Sequence, residues 1–201
     1  MKKMYQKTNT VLTLCNLLYV VLFLSAVIMV AGLTSPGLAS ADTAAEIDRD
    51  VDSALQKLYA STPAAKELSK VAKGILVFPG IIKGGLIIGG QYGEGALREE
   101  GKTVGYYNTV AASYGLQAGV QKFGFALFFI TDSAIEHIEK SSGWEIGVGP
   151  SITIVDEGLA KSLTTTTAKK DIYAFFFDQK GLMAGLGLQG SKISRITPEK
   201  E

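Results

Sequence analysis

Glycines recur inside apolar segments of this chain, and this pattern limits what the chain can fold into. The motif Gly-Leu-x-x-Gly occurs three times, at Gly85–Gly89, Gly115–Gly119 and Gly181–Gly185, each time among β-branched, aromatic or aliphatic neighbours. Glycine weakens a strand unless the backbone bends, bulges or lets another group approach closely. The repeated motif therefore predicts strands of a sheet that curves sharply.

Short apolar segments separated by short gaps follow one another from Ile75 onward. Gaps of that length suit antiparallel hairpins and leave no room for the helical crossovers of a parallel sheet. Before them, residues 42–60 have apolar residues at helical spacing, and Thr62-Pro63 starts a second helix that ends at Gly74. The pattern over Asp132–Lys140 predicts one further short helix.

We therefore predict an α+β fold, in which two N-terminal helices pack on a curved, glycine-rich antiparallel sheet with one short inserted helix. A barrel-like closure of the sheet is compatible with the glycine pattern. The first strand, Ile75–Phe78, is expected to stop at Pro79-Gly80. Residues 42–201 are expected to form a single domain.

The first 41 residues have the pattern of an export signal. Three lysines lie within the first seven residues, residues 11–33 are almost continuously apolar, and Ala39-Ser40-Ala41 is a small-x-small cleavage site. Cleavage before Asp42 would release the protein into the periplasm or cell envelope. An uncleaved signal anchor is the alternative, because an apolar segment of roughly 20 residues can span a bilayer.

Charge and cysteine content exclude some classes of partner and chemistry. The signal segment contains three of the 20 basic residues and none of the 19 acidic ones, so the remaining chain is slightly acidic. A nucleic-acid partner is not expected, since it calls for a strongly basic domain. The only cysteine, Cys15, lies within the signal segment, so the domain has no disulfide.

Two motifs resemble cofactor or metal sites and fail on spacing. Gly185-x-Gly187-x-x-Gly190 matches the dinucleotide fingerprint, but too few residues follow it to supply the required helix, strand and acidic residue. Asp48, Asp50 and Asp52 alternate as in a calcium loop, but serine stands where that loop needs glycine. These three acids are expected to form a solvated helix face.

Catalytic constellations are not found in the sequence either. His137 is the only histidine, and no acidic or cysteine partners lie at metal-ligand spacing from it. No serine lies in a Gly-x-Ser-x-Gly motif. We predict a protein that is not an enzyme and needs no cofactor or metal.

Lysines recur along the second predicted helix. Lys66, Lys70 and Lys73 are spaced by four and three residues, which places them on one helix face, with Lys57 before them and Lys83 after them. A basic face beside an apolar one can lie on anionic lipid. From spacing alone, an ordinary solvated helix face is the favoured interpretation.

Four segments together resemble the SYLF domain, a lipid-binding family that includes yeast actin-associated proteins. They are 71–90 (VAKGILVFPGIIKGGLIIGG), 115–119 (GLQAG), 147–150 (GVGP) and 180–191 (KGLMAGLGLQGS), and they occur in the family's order. The resemblance covers about residues 60–196, nearly all of the chain that follows the export signal.

The resemblance implies phospholipid binding, to which the family's N-terminal amphipathic helix contributes. It makes five lysines candidate lipid-binding residues: Lys57, Lys66, Lys70, Lys73 and Lys83. Some members bind actin, but a chain with an export signal looks like the exported bacterial branch. We therefore expect anionic phospholipids as partners, in preference to actin or phosphoinositides. An envelope protein-interaction or scaffolding module is the alternative, and the oligomeric state stays open.

Overall fold

One sheet of eight strands forms the framework of the molecule. The computed structural model describes residues 42–85, 88–114, 119–141, 143–181 and 190–199. The strands are β1 (Gly74–Gly85), β2 (Ile88–Glu99), β3 (Lys102–Tyr114), β4 (Gly119–Phe129), β5 (Trp144–Glu145), β6 (Ile152–Ile154), β7 (Ile172–Gly181) and β8 (Lys192–Ile196). Their order is β5-β8-β3-β2-β1-β4-β7-β6, and neighbours are antiparallel except β6 and β7.

Helices lie at the start of the described chain and in two later connections. They are α1 (Ala44–Ser61), α2 (Pro63–Leu68), α3 (Asp132–Lys140) and α4 (Glu157–Ser162). The predicted α+β class, the curved sheet and the inserted helix are confirmed. The export signal predicted for residues 1–41 lies outside the described residues, as do residues 86–87, 115–118 and 182–189 of the glycine motifs.

The sheet curls strongly into a half-barrel, so its two faces differ. Trp144 on β5 packs against Phe129 on β4 with ring centroids 6.3 Å apart, although four strands separate β5 from β4 in the sheet order. This contact requires the sheet to fold toward the face that carries both rings. We call this concave side the inner face. Helix α3 packs on it through Ala134, Ile135 and Ile138.

Helix α1 packs on the opposite, outer face. Its start is fixed by a capping box between Thr43 and Glu46. Apolar residues recur every three or four positions along it and are buried against outer-face residues of the sheet. The buried helix residues are Ile47, Val51, Ala54 and Leu58. The helical spacing predicted this packing face.

Strand β1 does not stop at Pro79-Gly80, so that prediction is wrong. It continues to Gly85, with a register shift between Val77 and Ile82 against β2 and another between Phe78 and Ile81 against β4. A bulge tolerates proline because its missing N–H removes no ladder hydrogen bond there. The extra residue lets the outer face carry Val77 before the bulge and Ile82 after it, opposite Ala96 and Tyr92 of β2.

Candidate functional site

The five predicted lysines do not form one surface. Lys57 lies on α1, Lys66 on α2 and Lys83 on β1, while Lys70 and Lys73 follow α2. The helix predicted to reach Gly74 ends at Leu68. The backbone N–H of Lys73 donates to the carbonyl of Phe129 at 2.8 Å, so the chain there already joins the sheet. The lysine stripe on one helix face is therefore not present.

Lys70 and Lys73 lie beside a groove of about 410 Å³ along α1, and both are paired with acids. The Lys70 ammonium is 2.6 Å from Glu67, and that of Lys73 is 3.2 Å from Asp132. Lys66 is exposed on α2. The charges along this groove are therefore largely balanced within the protein.

Lys57 belongs to a different site, a pocket of about 240 Å³ between α1 and the outer face of the sheet. Two further lysines line it, Lys122 on β4 and Lys180 on β7, which lie directly opposite each other in the strand pairing. Asp50 and Asp178 also line the pocket. We call this the lysine pocket. The sequence analysis did not single out Lys122 or Lys180.

Asp178 forms long, solvent-exposed ion pairs with two lysines of this pocket. Its carboxylate lies 3.5 Å from the Lys57 ammonium and 3.6 Å from that of Lys180, and all three side chains are solvent-accessible. Exposed pairs of this length contribute little stability, so the lysines can exchange this partner for another anion. Asp178 has a φ of 49°, which aspartate tolerates better than most residues. It lies where β7 shifts register against β4, and this shift places Lys180 on the outer face.

Exposed apolar side chains lie next to the lysine pocket on the same outer face. We call them the apolar strip: Ile82 (54% exposed), Ile88 (72%), Tyr92 (48%), Val110 (46%) and Val120 (65%). The strand pairing places Val110, Tyr92, Ile82 and Lys122 side by side across β3, β2, β1 and β4, with Lys192 of β8 and Lys180 of β7 at the two ends. Exposed apolar side chains grouped on one face are typical of interaction sites.

Tyr92 is the member of the apolar strip that carries a polar group. Burial raises the pKa of its hydroxyl to about 12, and the carboxylate of Glu94, which accepts a hydrogen bond from it, adds to the shift. Glu94 also accepts from the backbone N–H of Asp42. Burial, and then the Glu94 charge, raise the pKa of the Asp42 carboxyl as well. Glu94 and Asp42 thus form an acidic border of the strip where the chain enters α1.

The acids that resemble a calcium loop hold α1 on the sheet. The Asp48 carboxylate accepts hydrogen bonds from Thr103 (2.7 Å) and Tyr106 (3.1 Å), and Arg98 donates to Asp52 at 2.8 Å. Asp48 is therefore an anchor between helix and sheet, whereas the sequence predicted a solvated position. Within the described ranges, no group of three potential metal ligands is found.

His137 and the helices offer no further site. The half-buried imidazole of His137 packs edge-on against the buried ring of Trp144, with centroids 5.9 Å apart. No helix in the part of the chain that the structure describes is both long and apolar enough to span a bilayer.

Comparison with known proteins relates part of the chain to a domain family. Residues 110–200 match the family model described as "Ysc84: Las17-binding protein actin regulator". A comparison with curated proteins found no match. The matched range runs from the end of β3 through β8 and includes Lys122 and Lys180 of the lysine pocket. Proteins of this family are generally non-catalytic and are linked to lipid or actin binding. Residues 110–200 of the chain therefore match the Ysc84, or SYLF, domain family.

Proposed function

We propose that this protein is a non-catalytic phospholipid-binding domain that contacts an anionic membrane surface through the apolar strip and the lysine pocket. One observation carries the proposal: exposed Ile82 and Val120 lie directly beside Lys122 and Lys180 on one face. Aliphatic groups can enter the boundary between head groups and acyl chains while neighbouring lysines meet the phosphates.

The expected energetics favour an anionic surface. A lysine near such a membrane contributes about 1 kcal/mol, so the three lysines of the pocket contribute about 3 kcal/mol at low salt. Each aliphatic side chain adds a hydrophobic term that salt does not screen. Binding should therefore weaken, but not vanish, as salt is raised.

The segment that carries Lys66, Lys70 and Lys73, which the sequence predicted to be a basic helix face, is a second lipid contact that we retain as a proposal. Lys66 is the one lysine of the predicted stripe that lies on α2, and Lys70 and Lys73 are paired with acids. We therefore assign the main lipid contact to the lysine pocket. Replacing Lys66, Lys70 and Lys73 by glutamine should weaken binding less than replacing the lysines of the pocket.

Vesicle co-sedimentation tests the proposal directly. The protein is mixed with phosphatidylcholine vesicles that contain or lack phosphatidylglycerol, and the Lys57→Gln/Lys122→Gln/Lys180→Gln variant is compared with wild type. Lys161, Lys169 and Lys170 supply the matched control, since all three are exposed and lie in α4 or just before β7, at the opposite end of β7 from Lys180. Changing these three to glutamine removes the same charge and should leave binding unchanged. Equal loss in both triple variants would show a general charge effect and contradict the assigned site.

We further propose that the protein is exported and acts at the cell envelope. The proposal rests on the basic, apolar and small-residue pattern of residues 1–41. Mass spectrometry of protein isolated from cell fractions tests it. An N-terminus at Asp42 in the envelope fraction supports cleavage, an intact N-terminus in the membrane fraction supports a signal anchor, and a cytoplasmic location contradicts export.

A protein-interaction or scaffolding module is the alternative function, and the family description favours it because it names a protein partner for the family. In that case the apolar strip would contact a protein surface. Capture of one partner in the absence of lipid, together with no binding to anionic vesicles, would support this alternative over the lipid proposal.

A further inference from the structure

Buried polar residues are concentrated at one place on the inner face. Among the described residues, the buried polar side chains are Gln91 (5% exposed), Gln121 (5%), Thr109 (1%) and Ser191 (0%). Gln91 lies on β2, Gln121 on β4 and Thr109 on β3, and Ser191 immediately precedes β8. All four are at the glycine-rich end of these strands. Elsewhere the core of the inner face is built from aliphatic and aromatic residues. This end of the concave face therefore has a different chemistry from the rest of the core.

Lys83 lies in the middle of this group. In the strand pairing it is opposite Gln91 on β2 and opposite Gln121 on β4, so the three side chains share the inner face. The Gln91 amide nitrogen donates to the Ser191 hydroxyl at 2.8 Å, across the small side chain of Ala111. We call the line Gln121, Lys83, Gln91 the polar row. Of the five lysines predicted from the sequence, Lys83 is thus the one on the inner face.

Two oxygens among these buried polar side chains have no hydrogen-bond partner, one on β4 next to Lys83 and one on β3, two strands away from Lys83. They are the amide oxygen of Gln121 and the hydroxyl oxygen of Thr109, both buried. Burying such groups unpaired is unfavourable, so each specific case in a folded protein calls for an explanation such as a ligand or water. Both oxygens can accept a hydrogen bond from a hydroxyl group, while the Lys83 ammonium donates to an anion.

The core beneath the polar row admits no acyl chain. Phe123 contacts Phe176 with centroids 5.7 Å apart, and Phe125 contacts Phe176 at 5.0 Å. Phe123 and Phe125 are almost completely buried in this aromatic packing. A ligand of the polar row must therefore be a head group, with its tails outside the half-barrel.

We propose that the polar row binds the head group of a glycerol phosphodiester, an inference that rests on the proposed lipid-binding function. A phosphate oxygen accepts from the Lys83 ammonium, and hydroxyls of the terminal glycerol donate to the unpaired oxygens of Gln121 and Thr109. The apolar strip occupies the same end of β1, β2 and β4 on the outer face. This end would thus meet the membrane with acyl-chain contacts on one face and one lipid head group on the other.

Two lipids of equal charge test the proposal. Phosphatidylglycerol and phosphatidylmethanol both carry a single phosphodiester charge, but only phosphatidylglycerol has head-group hydroxyls. In vesicles of otherwise identical composition, wild-type protein should bind phosphatidylglycerol about tenfold more tightly, the size of effect expected from one or two hydrogen bonds to buried groups. Equal affinity for the two lipids overturns the proposal.

Near-isosteric variants identify the residues that cause the preference for phosphatidylglycerol. Thr109→Val and Gln121→Leu should lose the preference for phosphatidylglycerol and keep binding to phosphatidylmethanol. Thr153→Val, in β6, and Gln179→Leu, at an exposed position of β7, are the same substitutions away from the polar row and should leave the preference intact. Retention of the full preference in Thr109→Val, which preserves side-chain volume, would overturn the assignment even if Gln121→Leu failed to fold.

A soluble probe separates this inference from the proposed function. Glycerophosphoglycerol should raise the melting temperature of wild-type protein and not that of Thr109→Val, whether or not vesicles bind. If vesicle binding depends on the lysine pocket but shows no head-group preference, the proposed function stands and the inference fails. If the protein binds no vesicles, the proposed function fails. In that case, a rise in melting temperature with glycerophosphoglycerol identifies a free glycerophosphate as the ligand. If glycerophosphoglycerol does not change the melting temperature, the head-group site at the polar row is overturned.

Discussion

Glycines of the curled sheet serve two opposite purposes. Where α1 and the neighbouring strands cover the sheet, a Cβ at Gly95 would collide with the carbonyl oxygen of Val77, and one at Gly124 would collide with the ring of Phe177. At the other end, a Cβ at Gly84 or Gly90 would meet its nearest atoms only at 3.6–3.7 Å, an ordinary contact distance. The same residue type permits close packing at Gly95 and Gly124 and leaves an open surface at Gly84 and Gly90.

This difference separates structural from functional glycines. Gly84 and Gly90 are paired with each other between β1 and β2 and lie within the apolar strip, next to Val120. Their lack of side chains flattens the strip, which suits the membrane contact that we propose for it. Gly95 and Gly124 instead determine how closely β2 approaches β1 and how β4 packs with β7.

The largest effect is expected at the covered end. Gly95→Ala forces a methyl group against the backbone of β1, which cannot move without breaking strand pairing. We expect a loss of about 3 kcal/mol in the free energy of unfolding, at the upper end of the usual cost of overpacking. Gly124→Ala should cost about 1–3 kcal/mol, because the Phe177 ring can shift. Urea denaturation measures both values, and a change below about 0.5 kcal/mol at Gly95 would contradict the close approach of β1 and β2.

The second largest effect is expected on lipid binding, from changes in the apolar strip. Replacing Ile82, Ile88 and Val120 together by serine should weaken vesicle binding about a hundredfold, since each inserted aliphatic group contributes about 1 kcal/mol. The melting temperature should hardly change, because these side chains are exposed.

Exposed aliphatic residues elsewhere provide the control for that experiment. Val104, Val148 and Ile154 are also exposed, but they lie outside the apolar strip. Changing these three to serine should leave vesicle affinity intact. If this control variant loses as much affinity as the strip variant, general surface hydrophobicity would explain binding, and the strip would have no special role.

Local patterns predicted the elements of the fold because their causes are local. The spacing of Ile47, Val51 and Leu58 follows the helical period, and these residues are buried along α1. The glycines among apolar residues predicted a curved sheet, which the structure has. The end of α2 was not predictable in this way, because the hydrogen bond from Lys73 to Phe129 depends on residues far apart in sequence.

The candidate site depends even more on long-range pairing. Lys122 and Lys180 meet only because β4 pairs with β7, and the register shift at Asp178 decides which face Lys180 occupies. Strand alternation alone would have placed Lys122 on the same face as Ala126 and Phe128, which was a usable signal. The grouping of Gln91, Gln121 and Thr109 likewise needs the order of four strands, so no sequence motif marks it.

A smaller effect is expected from filling the open end. Gly84→Ala and Gly90→Ala should change the free energy of unfolding by about 0.5 kcal/mol or less, since the new methyl groups have room and reduce the entropy of the unfolded chain. Urea denaturation beside Gly95→Ala makes the comparison direct. A loss above about 2 kcal/mol at either position would mean that these glycines also serve close packing.

The smallest effect concerns a carboxyl group at the covered end. Burial, and then the charge of Glu139 on α3, raise the pKa of Glu99 above its ordinary value. The folded protein therefore binds this proton more tightly than the unfolded chain, so stability falls as pH rises through the interval between the unfolded and folded pKa values. Glu99→Gln removes the charge and should raise the melting temperature at pH 7 while changing it little at pH 4. Thermal unfolding of both proteins at the two pH values checks this sign, and a lower melting temperature of Glu99→Gln at pH 7 would show that the ionised Glu99 is stabilised by a partner at this end of the sheet.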